Sequence, residues 1–172
     1  MTRAADEARA RRLDPSRLPG AWELQRWYVT LADGTEMEPL GPGATGLLLF
    51  TADGWATITA SAADRPRLSR RNPGAASLEE RAAAFDTFVN YCCRWRVVAD
   101  TVELRVLLAQ NPAMVGTVQV RRLQMRGRTL TTLSVETVPN GQRVHRLVWR
   151  PARAPAGERE RRRSDNKTRK RT

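Results

Sequence analysis

Between Leu18 and Arg150 the chain alternates apolar and polar positions in short runs broken by turn residues, which predicts β-strands rather than helices. A first strand from Gly20 to Leu31 ends at Ala32-Asp33-Gly34-Thr35. A second, Gly46 to Phe50, meets Thr51-Ala52-Asp53-Gly54, where Asp-Gly favours a tight reversal because glycine accepts a positive φ. A third follows from Trp55 to Ala60. The stretch from Asp64 to Gly74 holds two prolines and four arginines without periodicity and reads as a loop. Ser77-Leu78-Glu79-Glu80 is a capping box, in which the serine oxygen and the glutamate three residues on satisfy the first free amides of a helix. That helix is expected to run to Asn90, with Leu78, Ala82, Phe85 and Val89 forming an apolar stripe that rests on the rest of the fold.

The next pair of strands carries the clearest register, because the turn at Val98-Ala99-Asp100-Thr101 sets which residues face each other. Cys93, Trp95 and Val97 fall on one side with Val102, Leu104, Val106 and Leu108, while Arg94 and Arg96 share the other side with Glu103 and Arg105. The apolar side is the inside, so Arg96 and Glu103 become an ion pair on the outer surface, worth a few tenths of a kcal/mol. A sixth strand from Gly116 to Met125 turns at Arg126-Gly127 into a seventh from Thr129 to Val135. The same turn logic groups Leu123, Met125 and Leu130 with Gln119, Arg121, Thr132 and Ser134. An eighth, Arg143 to Arg150, alternates His145, Leu147 and Trp149 against Val144, Arg146 and Val148. Eight antiparallel strands close into a barrel wide enough for packed side chains or one small ligand, and closure removes exposed edges. The helix is expected across one mouth.

With 172 residues there is room for one such unit over 18–150, plus a flexible segment over 1–17 and a tail over 151–172. The net charge of +12 suggests nucleic acid until it is divided along the chain. Residues 1–17 carry five arginines against three acids, 151–172 nine basic residues against three acids, and the long middle sixteen against twelve. Half the excess thus sits in a tail with nothing apolar larger than alanine or proline, which is expected to be disordered. Arg161-Arg162-Arg163 and the run from Lys167 to Arg171 read either as a solvated appendage or as a weak, non-specific contact for nucleic acid. No run reaches the roughly 20 apolar residues that span a bilayer, so no membrane is expected, and the polar first residues point to the cytoplasm. Adjacent Cys92 and Cys93 would make a strained disulfide. With one histidine, the chain is also poor in zinc ligands, so neither a metal nor any other cofactor is expected.

Several stretches then carry a resemblance: Gly20-Ala21-Trp22-Glu23-Leu24, Leu49-Phe50-Thr51-Ala52-Asp53-Gly54, Ala84-Phe85-Asp86, Asn111-Pro112-Ala113-Met114-Val115-Gly116-Thr117 with Gln119-Val120-Arg121-Arg122, and Arg146-Leu147-Val148-Trp149-Arg150. In this order over 18–150 they resemble the lipocalin-like domain family of bacteria and fungi, calycin-type eight-stranded barrels. The resemblance implies a small-molecule-binding barrel. Some relatives of this architecture sit in natural-product pathways as isomerases or cyclases. It also implies that Trp22 of the Gly-x-Trp opening closes the base under a late-strand arginine, Arg146 or Arg150, by cation–π stacking. Leu104 and Arg105 stand where many relatives have histidines, and Val118 where an acid is common, so no acid–base mechanism carries over and the cavity is greasier.

The residues themselves give a candidate site. Phe85, Tyr91 and Trp95 supply aromatic walls, Cys93, Leu104 and Met125 apolar filler, and Gln119, Arg121 and Thr132 a polar patch, the usual make-up of a small-ligand pocket. An inward Arg121 is costly to desolvate alone. Either backbone carbonyls and Gln119 satisfy it, or it points outward, or it binds an enolate or carboxylate. His145, the lone histidine, is the first candidate for acid–base work or else a partly exposed bystander, and Tyr91 is a donor at the rim or packs on Phe88. No Gly-x-Ser-x-Gly elbow or Gly-rich phosphate loop occurs. The leading expectation is a pocket for one mostly apolar, oxygenated molecule of polyketide or isoprenoid type, with cofactor-free isomerisation or cyclisation through Arg121, His145 and Tyr91. Two alternatives stand beside it: a non-catalytic carrier or sensor, and a polyanion-binding accessory protein acting through the tail.

Overall fold

The computed structural model describes residues 14–153. Its strands are β1 (Gly20–Thr30), β2 (Glu36–Met37), β3 (Thr45–Phe50), β4 (Trp55–Ser61), β5 (Phe88–Val98), β6 (Thr101–Ala109), β7 (Val118–Arg126), β8 (Thr129–Val138) and β9 (Gly141–Pro151). One helix, α1 (Leu78–Asp86), lies in the β4–β5 connection. The sheet is antiparallel throughout, and β9 pairs back onto β1 from Trp22↔Pro151 to Thr30↔Val144, which closes it. Nine strands are present among the described residues where eight were expected. The extra one, β2, is two residues laid along the end of β1 at Val29↔Met37, so the closed wall still has eight.

Up-and-down connectivity gives the barrel a base, where β1 starts and β9 ends, and a mouth, where α1 lies. The base is solid. Leu18, Leu130 and Trp149 have almost no exposed surface, and Trp22 and Phe50 pack beside them. Burying each such side chain contributes about 1.5–3 kcal/mol. Asp14 caps a single 3-10 turn at Pro15–Arg17, and Arg17 donates to the Gly127 carbonyl at 3.0 Å, fastening the chain beneath the base. The remainder of the expected lead-in, residues 1–13, and the arginine-rich tail from residue 154 onward lie outside the described residues.

Three local expectations are corrected. The stacking of Trp22 under Arg146 or Arg150 is not formed: the Trp22 indole donates to the Leu18 carbonyl at 2.9 Å. Arg146 lies on the outer surface over the Tyr28 ring and donates to Thr30 Oγ1 at 2.7 Å. The helix ends at Asp86 rather than Asn90. Its capping box forms as expected, but Thr87 closes the last turn onto the Ala83 carbonyl, after which Val89, Asn90 and Tyr91 pair with Ala60, Thr59 and Ile58 of β4. Of its stripe, Phe85 and Val89 reach the cavity, Val89 from β5, but the helix itself is not buried. Leu78 is 72% exposed and no α1 residue is buried. A loop staple holds the helix instead, with the Glu80 carboxylate accepting from the amides of Ser77 and Ser69, which keeps its pKa below the usual carboxylate range. Third, the hairpin register holds from Val98↔Thr101 to Cys93↔Val106, with the Arg96–Glu103 ion pair outside at 2.6 Å. It then slips: Cys92 faces Leu108. This bulge turns Leu108 outward, 69% exposed, where alternation had put it inside.

Candidate functional site

Above the packed base the barrel encloses a cavity of about 590 Å³, within the roughly 300–1,000 Å³ of small-molecule sites. Phe50, Val102, Leu123 and Trp149 floor it.

One wall comes from β5, β6 and β7, where period-two alternation sends Tyr91, Leu104, Gln119 and Arg121 inward together. Burial pushes the Tyr91 phenol above its ordinary pKa, and the neighbouring Arg121 charge pulls the other way, so Tyr91 stays a neutral O–H donor. Arg121 is half-buried. Its guanidinium reaches the Val120 carbonyl at 3.1 Å and Gln119 Oε1 at 3.4 Å, and no described carboxylate lies within ion-pair range of it. Gln119 in turn donates to Thr117 Oγ1 at 2.9 Å.

The opposite wall comes from β8, β9 and β1. Thr132, Ser134 and Glu136 line it from β8, and His145 and Leu147 from β9. His145 Nε2 sits 3.2 Å from Glu136 Oε2, so the only histidine has a carboxylate to orient it. Thr132 Oγ1 accepts from the Trp149 indole at 3.3 Å. Trp27 completes the wall, with its ring 6.2 Å from that of His145. At the mouth, Phe85, Asp86, Gln110 and Met114 line the cavity. The Gln110 amide donates to the Phe85 carbonyl at 2.8 Å, tying the β6 end to α1.

Of the residues expected to form the site, Tyr91, Arg121, His145, Phe85, Leu104, Gln119 and Thr132 line this cavity. Cys93, Trp95 and Met125 do not. They belong to the lower half of the barrel, where facing side chains leave no room. Trp95 donates to the Thr51 carbonyl at 3.0 Å and meets Phe50 edge-on at 5.1 Å; Met125 packs on the core; and Cys93 is fully buried, which pushes its thiol up to about 12. Glu136 and Trp27 are among the lining residues that the expected site did not include. Glu136 continues the Thr132–Ser134 alternation, but the strand had been ended at Val135. Trp27 depends on a bulge: Trp22 and Leu24 point inward, the register shifts between Leu24 and Arg26, and Trp27 and Val29 then point inward too. Nothing in the sequence marks that shift.

Among the described residues, no group of His, Cys, Asp and Glu side chains is placed to hold a metal, and no helix is long and apolar enough to cross a membrane. A closed antiparallel barrel, solid at one end and hollow at the other, with a largely apolar lining, defines the class of barrels that take a hydrophobic small molecule. The lipocalin-like domain model matches residues 19–152, and the chain belongs to that family. No curated protein matches it.

Proposed function

We propose that the protein takes up one small, mostly apolar, oxygenated molecule in the cavity and holds an anionic oxygen of it at Arg121. The carrying observation is the guanidinium on a half-buried wall with no carboxylate of the described residues beside it. Withdrawing an arginine from water without a charge partner is costly, and its planar fork of donors suits a carboxylate or enolate. The neutral Tyr91 hydroxyl beside it is a second donor for the same oxygen. Titration with the fluorescent anion anilinonaphthalene sulfonate tests this. Arg121→Met should weaken binding at least about tenfold, the scale of one charge-assisted hydrogen bond. The neutral probe phenylnaphthylamine should lose little. Equal loss for both probes would count against an anion site.

The His145–Glu136 pair favours a second reading, cofactor-free isomerisation or cyclisation of the kind found in polyketide-like pathways. With Nε2–H directed at Glu136, the lone pair on Nδ1 is available to take a proton from a carbon next to a carbonyl, while Arg121 and Tyr91 stabilise the enolate. The check is α-proton exchange of an enolisable probe, tetralone carboxylic acid, in heavy water. The protein should accelerate exchange and His145→Gln should remove most of the acceleration. A probe recovered unexchanged at the spontaneous rate would leave a carrier or sensor.

A further inference from the structure

The five indoles of this chain are not equivalent. Trp22, Trp95 and Trp149 each donate to an oxygen, at 2.9, 3.0 and 3.3 Å, and Trp55 lies half-exposed on the outer face under the Arg94 guanidinium. Trp27 differs from all four. Its Nε1 is buried and has no acceptor among the described residues, although its ring lines the cavity. A buried N–H without a partner costs about 1–3 kcal/mol, and indoles that are enclosed almost always find an oxygen. The ring stands opposite Leu147 across β1 and β9 and beside the His145 ring, and a phenylalanine would present an aromatic face there without an unpaired N–H.

We propose that Trp27 is a specificity contact for a neutral acceptor oxygen of the ligand, a carbonyl or ether. Resting on the binding reading above, this narrows the ligand class to apolar molecules with two oxygen functions. Strand β1 lies three places from β7 around the closed eight-stranded wall, by way of β9 and β8, so Trp27 and Arg121 line the hollow from separate strands. The ligand therefore spans it, with its anionic oxygen at Arg121 and its neutral oxygen at Trp27. The indole nitrogen is covered in this structure, so contact with that oxygen requires the indole or a side chain covering it to turn when the ligand enters. The other orphaned atom, Gln110 Oε1, lies at the mouth, where its own amide is engaged with Phe85.

The experiment compares tetralone carboxylic acid with tetralin carboxylic acid, the same skeleton with and without the carbonyl, as competitors of anilinonaphthalene sulfonate. The wild-type protein should bind the ketone about fivefold tighter, as one neutral hydrogen bond gives. In Trp27→Phe, which removes the N–H and keeps an aromatic ring, that ratio should fall to about one. In parallel, one indole N–H resonance of the nitrogen-labelled wild type should move downfield with the ketone and not with the hydrocarbon acid, a readout that does not need the variant to fold. A wild-type ratio near one, a ratio retained in Trp27→Phe, or no ketone-specific indole shift would overturn the assignment. If the wild type binds the sulfonate but neither acid, the cavity reading stands and this one is removed. If it binds none of the three, the binding reading fails first.

Discussion

Cys93 and Tyr91 stand two positions apart on β5, and both are neutral when protonated, the form that burial favours. An unfolded thiol loses its proton near pH 9.0, whereas Cys93 in the folded barrel holds it to about 12. Its contribution is therefore complete below pH 9 and is lost as the pH climbs through that interval, because the unfolded chain releases a proton the folded one retains. Tyr91, also raised, adds to the loss at the alkaline end. Urea midpoints of the wild type should fall steeply above pH 9, and those of Cys93→Ala less steeply. Parallel curves would show that the thiol is not the source. Arg121→Met makes the complementary case: it removes an unpaired, half-buried charge while keeping the volume. Its thermal midpoint should be unchanged or raised by a few degrees even as anion binding drops, the usual conflict between a binding site and stability. A lowered midpoint would mean that Arg121 has a structural partner.

The β5–β6 hairpin shows how far an element can be read in advance. Its turn and the Arg96–Glu103 pair follow from alternation alone, since each residue's side is set by its neighbours. The bulge opposite Cys92 follows from nothing local. It shifts the register of the last β5–β6 pairs, and it moves Leu108 from the core side to the solvent. Leu108→Lys should thus change the unfolding free energy by less than about 0.5 kcal/mol, as surface substitutions do. Val106→Ala, at a residue with no exposed surface, should cost about 2 kcal/mol. Urea denaturation of the two variants decides between the register with the bulge and the register without it. Helix α1 teaches the same lesson from the other side. Ser77 and Glu80 set its start through hydrogen bonds three residues apart, but its end is set by β4, whose free edge takes Val89 to Tyr91 as strand.

At the scale of the whole barrel, closure depends on close approach of strands far apart in sequence. Gly46 is such a point: a Cβ there would lie 2.7 Å from the Thr59 carbonyl and 3.1 Å from Leu24 Cβ, so the inner face has no room for a side chain. Gly46→Ala should cost about 1–3 kcal/mol through overpacking, visible as a lower thermal midpoint. An unchanged midpoint would mean that the wall yields there.

Strand alternation, Gly-containing turns and the capping box depend on neighbours a few residues apart, so an all-β barrel with one helix was legible from the chain alone, whereas the sides taken by Tyr91, Arg121 and His145 stayed open. Where along the inward face the hollow lies was not legible either. Cys93, Trp95 and Met125 share it with Tyr91, Leu104 and Arg121, and every one of them has the parity of a wall residue. Packing across the barrel separates them: Trp22, Phe50 and Trp149, remote in sequence, meet at one end and fill it, which leaves the free volume at the other. The Glu136 partner of His145 and the unpaired indole of Trp27 arise in the same way, one from a strand running longer than its turn signals suggested and the other from a bulge set by pairing with β9.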